Sequence, residues 1–413
     1  MKTSKFFVSC PPQFETLLVD DLRRNWAFLL DESARPHTEP FPELKFLRGG
    51  VEFESSQLAA LQLNHFLRGA HRVLLRWGSF HADRFDILKL EAKKLAHAGP
   101  PWEGSLPIEF RVETESSRLN HKRNIEECLS EALSKISRFS PPENSPSKER
   151  NPASQASLVE TSTQKIFVRI SRDKVTLSLD SSGEHLHKRG YLRNRSSGAL
   201  RETFAHALLQ ETFQGCSANE LEKAIIFDPF MGSGTLLWEA FLLRGPLFFR
   251  KFSYQNWARI PKLLKSPTYA QNFNKIDFAK INFLCGQDQS EKALQAAQNN
   301  LAYLKEHGSS RPLETHLLQA DSFKNDMVSS LSLSASQRAN LFLVANLPYG
   351  EQVEISQDFD QKLKRLIEKI QPRRFGLLGK NLKKFQPKGY KALSLREFSN
   401  QGILVDLVVY QFD

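Results

Sequence analysis

The stretch Ile225-Ile226-Phe227-Asp228-Pro229-Phe230-Met231-Gly232-Ser233-Gly234-Thr235-Leu236-Leu237-Trp238-Glu239-Ala240 constrains this chain most. An apolar run ends in an acid, passes through a Gly-x-Gly turn and enters a stretch of helical apolar spacing. That order predicts a buried strand, a tight loop and a helix N-terminus. Gly232 and Gly234 let the backbone approach a ligand, and the start of the helix offers free N–H groups. The turn alone does not name the ligand. A nicotinamide-type turn would carry a third glycine at position 237, where this chain has Leu237. No Gly-Lys-Ser/Thr ending marks a phosphate loop either. A ligand with an adenosine ribose but no pyrophosphate fits these residues better.

Further along, Ile281 to Gln287 reads as a strand ending at Asp288, with Gln289 next, and Glu314 to Leu318 as another, with Asp321 and Ser322 just beyond it. Asn340 to Ala345 reads as a fully buried strand, followed by Asn346-Leu347-Pro348-Tyr349-Gly350. Helical stretches lie between these runs, so a parallel, doubly wound α/β sheet is expected, closed by an antiparallel hairpin that turns at Asn400-Gln401-Gly402. In such a sheet ligands sit at the carboxyl ends of the strands, where the three acids and Asn346 gather. Asp288 is placed like an acid that accepts hydrogen bonds from ribose hydroxyls.

The tetrapeptide suggests a reaction. An exocyclic amine on a base is a poor nucleophile, because its lone pair is delocalised into the ring. Two acceptors that hold its two hydrogens align it. The Asn346 side-chain oxygen and the Leu347 carbonyl can serve, while Pro348 stiffens the turn and Tyr349 offers a ring for stacking. Taken alone, the same residues read more simply as an Asx-type turn after a strand.

A chain of 413 residues calls for more than one core. Three parts are expected: residues 1–64, a small α/β unit; 65–180, a second α/β unit; and 181–413, which holds the motifs above. Net charge is +11 with a pI near 9.4, which favours a polyanionic partner. Arg118, His121 and Lys122 lie in a basic, hydroxyl-rich turn at a predicted helix start, a place that suits phosphate oxygens. A second cationic stretch carries Lys188, Arg189, Arg193 and Arg195 with Tyr191 interleaved, the composition that contact with an RNA backbone needs. Residues 140–163 read as a flexible loop, and 241–281 as an insertion of helices and loops rich in aromatics, with most rings expected in packing. Asp173 with Lys174 is expected at a hairpin turn. Cys10, Cys128, Cys216 and Cys285 form no paired spacing, so a metal site or disulfide framework is not expected and a reducing cytoplasm fits. The apolar run Phe6-Phe7-Val8 is too short for a signal peptide, no segment approaches a membrane span, and no obligate protein partner is evident.

Together, Asp228 to Thr235 and Asn346 to Gly350 closely resemble the two motifs of class I S-adenosylmethionine-dependent amino methyltransferases. Ser116 to Lys122 resembles the THUMP RNA-binding domain. His187 to Tyr191, with Arg201-Glu202-Thr203, looks like its join to the catalytic domain in THUMP-bearing guanine-N2 methyltransferases of 23S ribosomal RNA. The resemblance implies a ferredoxin-like N-terminal segment, a THUMP domain and a C-terminal Rossmann-like domain. It also implies methyl transfer to N2 of a guanine in RNA. Asp228, Phe230, Gly232, Ser233, Gly234 and Thr235 would cradle the methionine part of the cofactor, Asp288 and Gln289 the ribose, and Asp321 with Ser322 the adenine. The family usually has proline where this chain has Leu347; the backbone carbonyl survives that change. Two rivals stand beside this reading: an amino methyltransferase acting on adenine or cytosine of DNA or RNA, and an RNA-binding assembly factor with a decayed catalytic domain.

Overall fold

The computed structural model describes residues 3–99, 107–134, 163–192, 194, 200–276, 278, 281–307, 313–325, 327–331, 333–348, 358–400 and 402–413. They form two compact units. One gathers Met1–Leu186 and Arg250–Lys275, the other His187–Phe249 and Ile276–Asp413. No helix among the described residues is long and apolar enough to cross a membrane.

The first unit is built on seven strands: β1 (Thr3–Ser9), β2 (Lys45–Leu47), β3 (Gly50–Ser56), β4 (Arg72–His81), β5 (Ile108–Glu115), β6 (Gln164–Ser171) and β7 (Lys174–Asp180). Their order is β2-β3-β1-β4-β7-β6-β5. The boundary expected at 64/65 falls inside the helix Gln57–Phe66, and the sheet is continuous across it, since β1 pairs antiparallel with both β3 and β4. Phe6 and Val8 on β1 are buried, as is Val73 of β4, which lies opposite Val8; burying these residues needs both halves. The hairpin between β6 and β7 turns at Arg172 (φ 50°) and Asp173 (φ 60°), one residue earlier than expected, because two successive left-handed residues match the twist of the flanking strands. The helix Phe85–His97 escapes a reading of the sequence pattern, since only Leu88, Ala92 and Ala96 of it are buried.

Residues 250–275, expected as part of an insertion in the catalytic half, pack into this first unit. The Trp257 indole donates to Gln164 Oε1 (2.6 Å), and Tyr254 and His65 share a buried hydrogen bond (2.8 Å). Arg250 donates to the carbonyls of Ser182, Glu184 and His185 (2.7–2.8 Å). The aromatic content of the segment is thus core packing.

The second unit carries β8 (Ile225–Asp228), β9 (Phe283–Asp288), β10 (Glu314–Gln319), β11 (Leu341–Asn346), β12 (Arg374–Gly379), β13 (Tyr390–Asn400) and β14 (Ile403–Phe412) in the order β10-β9-β8-β11-β12-β14-β13. β8 to β12 run parallel, while β14 is antiparallel to both β12 and β13. β8, β11 and β12 are apolar almost throughout, as strands covered on both faces must be. The order of strands reverses between β8 and β11. That reversal opens a crevice at their carboxyl ends.

Candidate active site

The turn after β8 is fixed from within. Asp228 is buried, and its Oδ1 accepts the Phe230 N–H (3.0 Å), which folds the chain back at once. Gly232 (φ 54°) and Gly234 (φ 83°) are left-handed. At Gly234 the need is double, for a Cβ there would lie 2.4 Å from Trp238 Nε1. The Trp238 indole and the Asn300 amide both donate to the Ser233 carbonyl (3.0 and 3.1 Å). The helix Thr235–Phe241 starts here. Leu237 stands where a nicotinamide turn has its third glycine, and the close helix–strand approach is reached from the other side. Gly286 of β9 faces it, and a Cβ on Gly286 would come 2.6 Å from Leu237 Cδ1.

Three observations suit this turn to holding a ligand. The Ser233 hydroxyl is buried without a hydrogen-bond partner among the described residues. Thr235 is buried at the helix start. Burial pushes Asp228 up to about 8, with the charge of Asp288 adding to the rise and the Phe230 N–H opposing it. A buried carboxyl so displaced favours a cationic neighbour.

The acids of the next two strands share in the bracket. Asp288 accepts the N–H of Gly232 through Oδ2 and of Ser290 through Oδ1, both at 2.9 Å. Each carboxylate oxygen can accept a second hydrogen bond. Gln289 is exposed beside it. Asp321 accepts the Phe323 N–H (3.0 Å) and lies 3.5 Å from Lys324. Ser322 is buried and donates to the Pro229 carbonyl (2.6 Å), so its only proton is committed to joining the third loop to the first. Two features are absent from the sequence reading. Gln287, buried on β9, donates to the Asn325 carbonyl and accepts the Met327 N–H (2.8 Å), holding the loop after β10. Phe230, Phe323 and Phe359 are half-buried with ring centroids 5.4–5.9 Å apart, an apolar cluster by the glycine turn. Phenylalanines scattered over such a span carry no local signal; only the fold gathers them.

β11 lies next to β8, and Asn346 is its last residue. The Asn346 side-chain oxygen is buried and has no hydrogen-bond partner among the described residues. The Leu347 N–H donates to the Leu378 carbonyl (2.8 Å), and its side chain sits in the core against Gly379. A proline at 347 could not make that bond. Here the turn is fixed by one more rung between β11 and β12. Pro348 is half-buried, and Tyr349 lies outside the described residues.

The second cationic stretch requires a correction. Arg189 (3% exposed) and Tyr191 (0%) are buried and cannot reach a nucleic-acid backbone. Both bind Glu239 of the helix Thr235–Phe241: Tyr191 Oη donates to Oε1 (2.6 Å), and Arg189 Nε and Nη2 donate to Oε1 and Oε2 (3.3 and 3.2 Å). They brace the helix that carries the glycine turn. The signal was Glu239 itself, an acid among apolar helix residues, which demands a cation. Lys188 is exposed, and Arg193 and Arg195 lie outside the described residues.

In the first unit, Arg118, His121 and Lys122 are exposed at the start of the helix Lys122–Leu133. The turn is pinned by Asp173, which accepts the Arg118 N–H (2.7 Å), while the Arg118 side chain pairs with Asp83.

The parallel sheet reverses beside the glycine turn, and an amide oxygen without a partner among the described residues stands on the next strand. Residues 189–382 match the family described as RMKL-like, methyltransferase domain (UPF0020). The chain is 26% identical over 337 residues to the "Putative RNA methyltransferase YpsC" of Bacillus subtilis, covering 80% of this chain and 79% of that protein. It is 28% identical over 365 residues to the "Ribosomal RNA large subunit methyltransferase K/L" of Syntrophotalea carbinolica, covering 84% of this chain but only 45% of that longer protein. The crystal structure titled "SMU.472, a putative methyltransferase complexed with SAH" shares the fold, with a TM-score of 0.74 at 19% identity over 100% of this chain and 99% of that one. The match to that family's methyltransferase domain spans residues 189–382, and the sheet of the second unit is Rossmann-like.

Proposed function

We propose that this chain transfers a methyl group from S-adenosylmethionine to the exocyclic N2 of a guanine in RNA, within large-subunit ribosomal RNA. The observation that carries the reading is the side-chain oxygen of Asn346 beside the Asp228 turn, buried without a partner among the described residues. The names of the relatives support RNA as the substrate, and the K/L relative supports ribosomal RNA.

S-adenosylmethionine supplies an electrophilic methyl group on a sulfonium. Asp228, Ser233 and Thr235 would hold its methionine part, Asp288 with Gln289 the ribose, and Asp321 with the cluster of Phe230, Phe323 and Phe359 the adenine. A cationic ligand beside Asp228 favours the ionised carboxylate. Asn346 Oδ1 and the Leu347 carbonyl would accept the two hydrogens of the guanine amine and turn its lone pair toward the methyl group; as the nitrogen–methyl bond forms the sulfur–methyl bond breaks, leaving S-adenosylhomocysteine, and the amine gives up one proton to solvent. This is positioning more than proton abstraction. Residues 65–180 would serve as a THUMP domain, with Arg118, His121 and Lys122 on phosphates; Lys188, Arg193 and Arg195 are further candidates for RNA contact.

The test is incubation of unmodified ribosomal RNA with labelled cofactor, followed by mass spectrometry of nucleosides. N2-methylguanosine is the expected product. Methyladenosine or methylcytidine would select the first rival. Failure to bind S-adenosylhomocysteine in calorimetry would overturn the enzyme reading in favour of a decayed domain, which the Asn346 oxygen, without a partner among the described residues, argues against.

A further inference from the structure

A basic groove adjoins the Asn346 turn, and its lysines have no role in the site just described. Leu378 of β12 is level with Asn346, and Gly379 backs onto Leu347. Lys380 therefore begins one strand over from the turn, roughly 5 Å in strand spacing. Asn381 is left-handed (φ 59°) and turns the chain into a short 3-10 segment, Leu382–Lys384. Leu382 points inward: it is buried, and its N–H donates to Oδ2 of the buried Asp406 (2.8 Å). That anchor leaves Lys380, Lys383 and Lys384 exposed. The β13–β14 hairpin forms the opposite wall with Glu397 and Leu404, the latter 57% exposed. The cavity between has a volume of about 900 Å³.

The charges do not cancel. Glu397 pairs with Lys383, and Asp406 is spent on Leu382. Lys380 and Lys384 have no ion pair among the described residues. Resting on the RNA reading above, we infer that this groove holds the RNA strand on one side of the target nucleotide, with Lys380 and Lys384 on phosphates and Leu404 against a base or ribose. A base presented to Asn346 must leave its stack, so the strand beside it runs extended and needs its backbone held close by.

The test is binding of a fluorescein-labelled single-stranded RNA to the full chain at several salt concentrations. The Lys380→Ala/Lys384→Ala double variant should lower the slope of log affinity against log salt by about 1.4 and weaken binding about tenfold near 0.1 M salt. Its melting temperature and its affinity for S-adenosylhomocysteine should not change. Lys388→Ala/Lys391→Ala is the control; Lys391 is level with Gln411 and so with Arg374, at the far end of β12. That pair should keep wild-type affinity. An unchanged slope in the first pair, or an equal loss in the second, overturns the groove. A wild-type chain that binds no S-adenosylhomocysteine and methylates no RNA sinks the functional reading and the groove with it. A wild type that methylates RNA, matched by the first pair in affinity, sinks the groove alone.

Discussion

The turn after β8 and the turn after β11 stand on neighbouring strands, and they are finished in opposite ways. Around the first, backbone carbonyls and carboxylates are largely taken: Asn300, Trp238, Asp288 and the Arg189–Glu239–Tyr191 cluster hold it. At the second, the Asn346 side-chain oxygen is buried without a partner among the described residues, while Leu347 secures the backbone behind it. On the proposed reading the difference separates two tasks. A cofactor that returns every cycle can be met by a rigid bracket. A reacting amine needs an acceptor that nothing else satisfies, since an acceptor already bonded must first be released.

The comparison can be broken by substitution, and the largest effect is expected in the bracket. Arg189→Met leaves the Glu239 carboxylate buried without its cation and should cost about 3–5 kcal/mol in urea denaturation. Adding Glu239→Gln should recover much of that loss; a cost below about 1 kcal/mol in the single variant would show that the cluster does not brace the turn. Asn346→Ala comes next. Its kcat should fall about a hundredfold to a thousandfold, the scale seen when one positioned polar group is removed. Its stability and its affinity for S-adenosylhomocysteine should stay as they were. Full activity would end the role given to its oxygen.

Asp228 gives a pH-dependent effect. Its folded value near 8 lies above the ordinary 3.8, so between these limits the folded chain holds a proton that the unfolded chain has lost. Stability of the cofactor-free protein should therefore fall as pH rises from about 4 to about 8. Asp228→Asn should flatten that dependence, read as the difference in denaturation midpoint between pH 6 and pH 8.5. Should the variant keep the wild-type slope, the burial argument fails. The smallest effect on catalysis is expected for Leu347→Pro, which deletes one rung to β12 and trims a buried side chain: about 2–4 kcal/mol of stability, with kcat within about tenfold of wild type.

Much of the second unit was legible because its signals are local. An acid after an apolar strand, a Gly-x-Gly turn and an Asn-Leu-Pro-Tyr run each occupy a few consecutive residues. The strand order then sets Asp228, Asp288 and Asn346 at one end of the sheet. What was not legible depends on where the chain goes in space. The cations at 188–191 and those at 380–384 look alike in composition. In the first group Arg189 turns inward because Glu239 awaits it, while Lys188 stays out; the second group stays out because Leu382 takes the inward place. Exposure is decided by the partner, and partners lie about 50 residues away for Arg189 and 24 for Leu382. Gln287 was hidden for the same reason, as its role rests on a loop 38 residues on.

The path of residues 250–275 has a consequence for how the chain is made. Gln164 and His65 leave the ribosome well before Trp257 and Tyr254, with which they bond. The first unit therefore cannot complete its core until β8 and the glycine turn of the second have been synthesised. Vectorial folding, in which an N-terminal domain finishes before the next begins, is closed to this chain. A fragment ending at residue 186 would expose the apolar sockets of Trp257, Tyr254 and Tyr269 and aggregate.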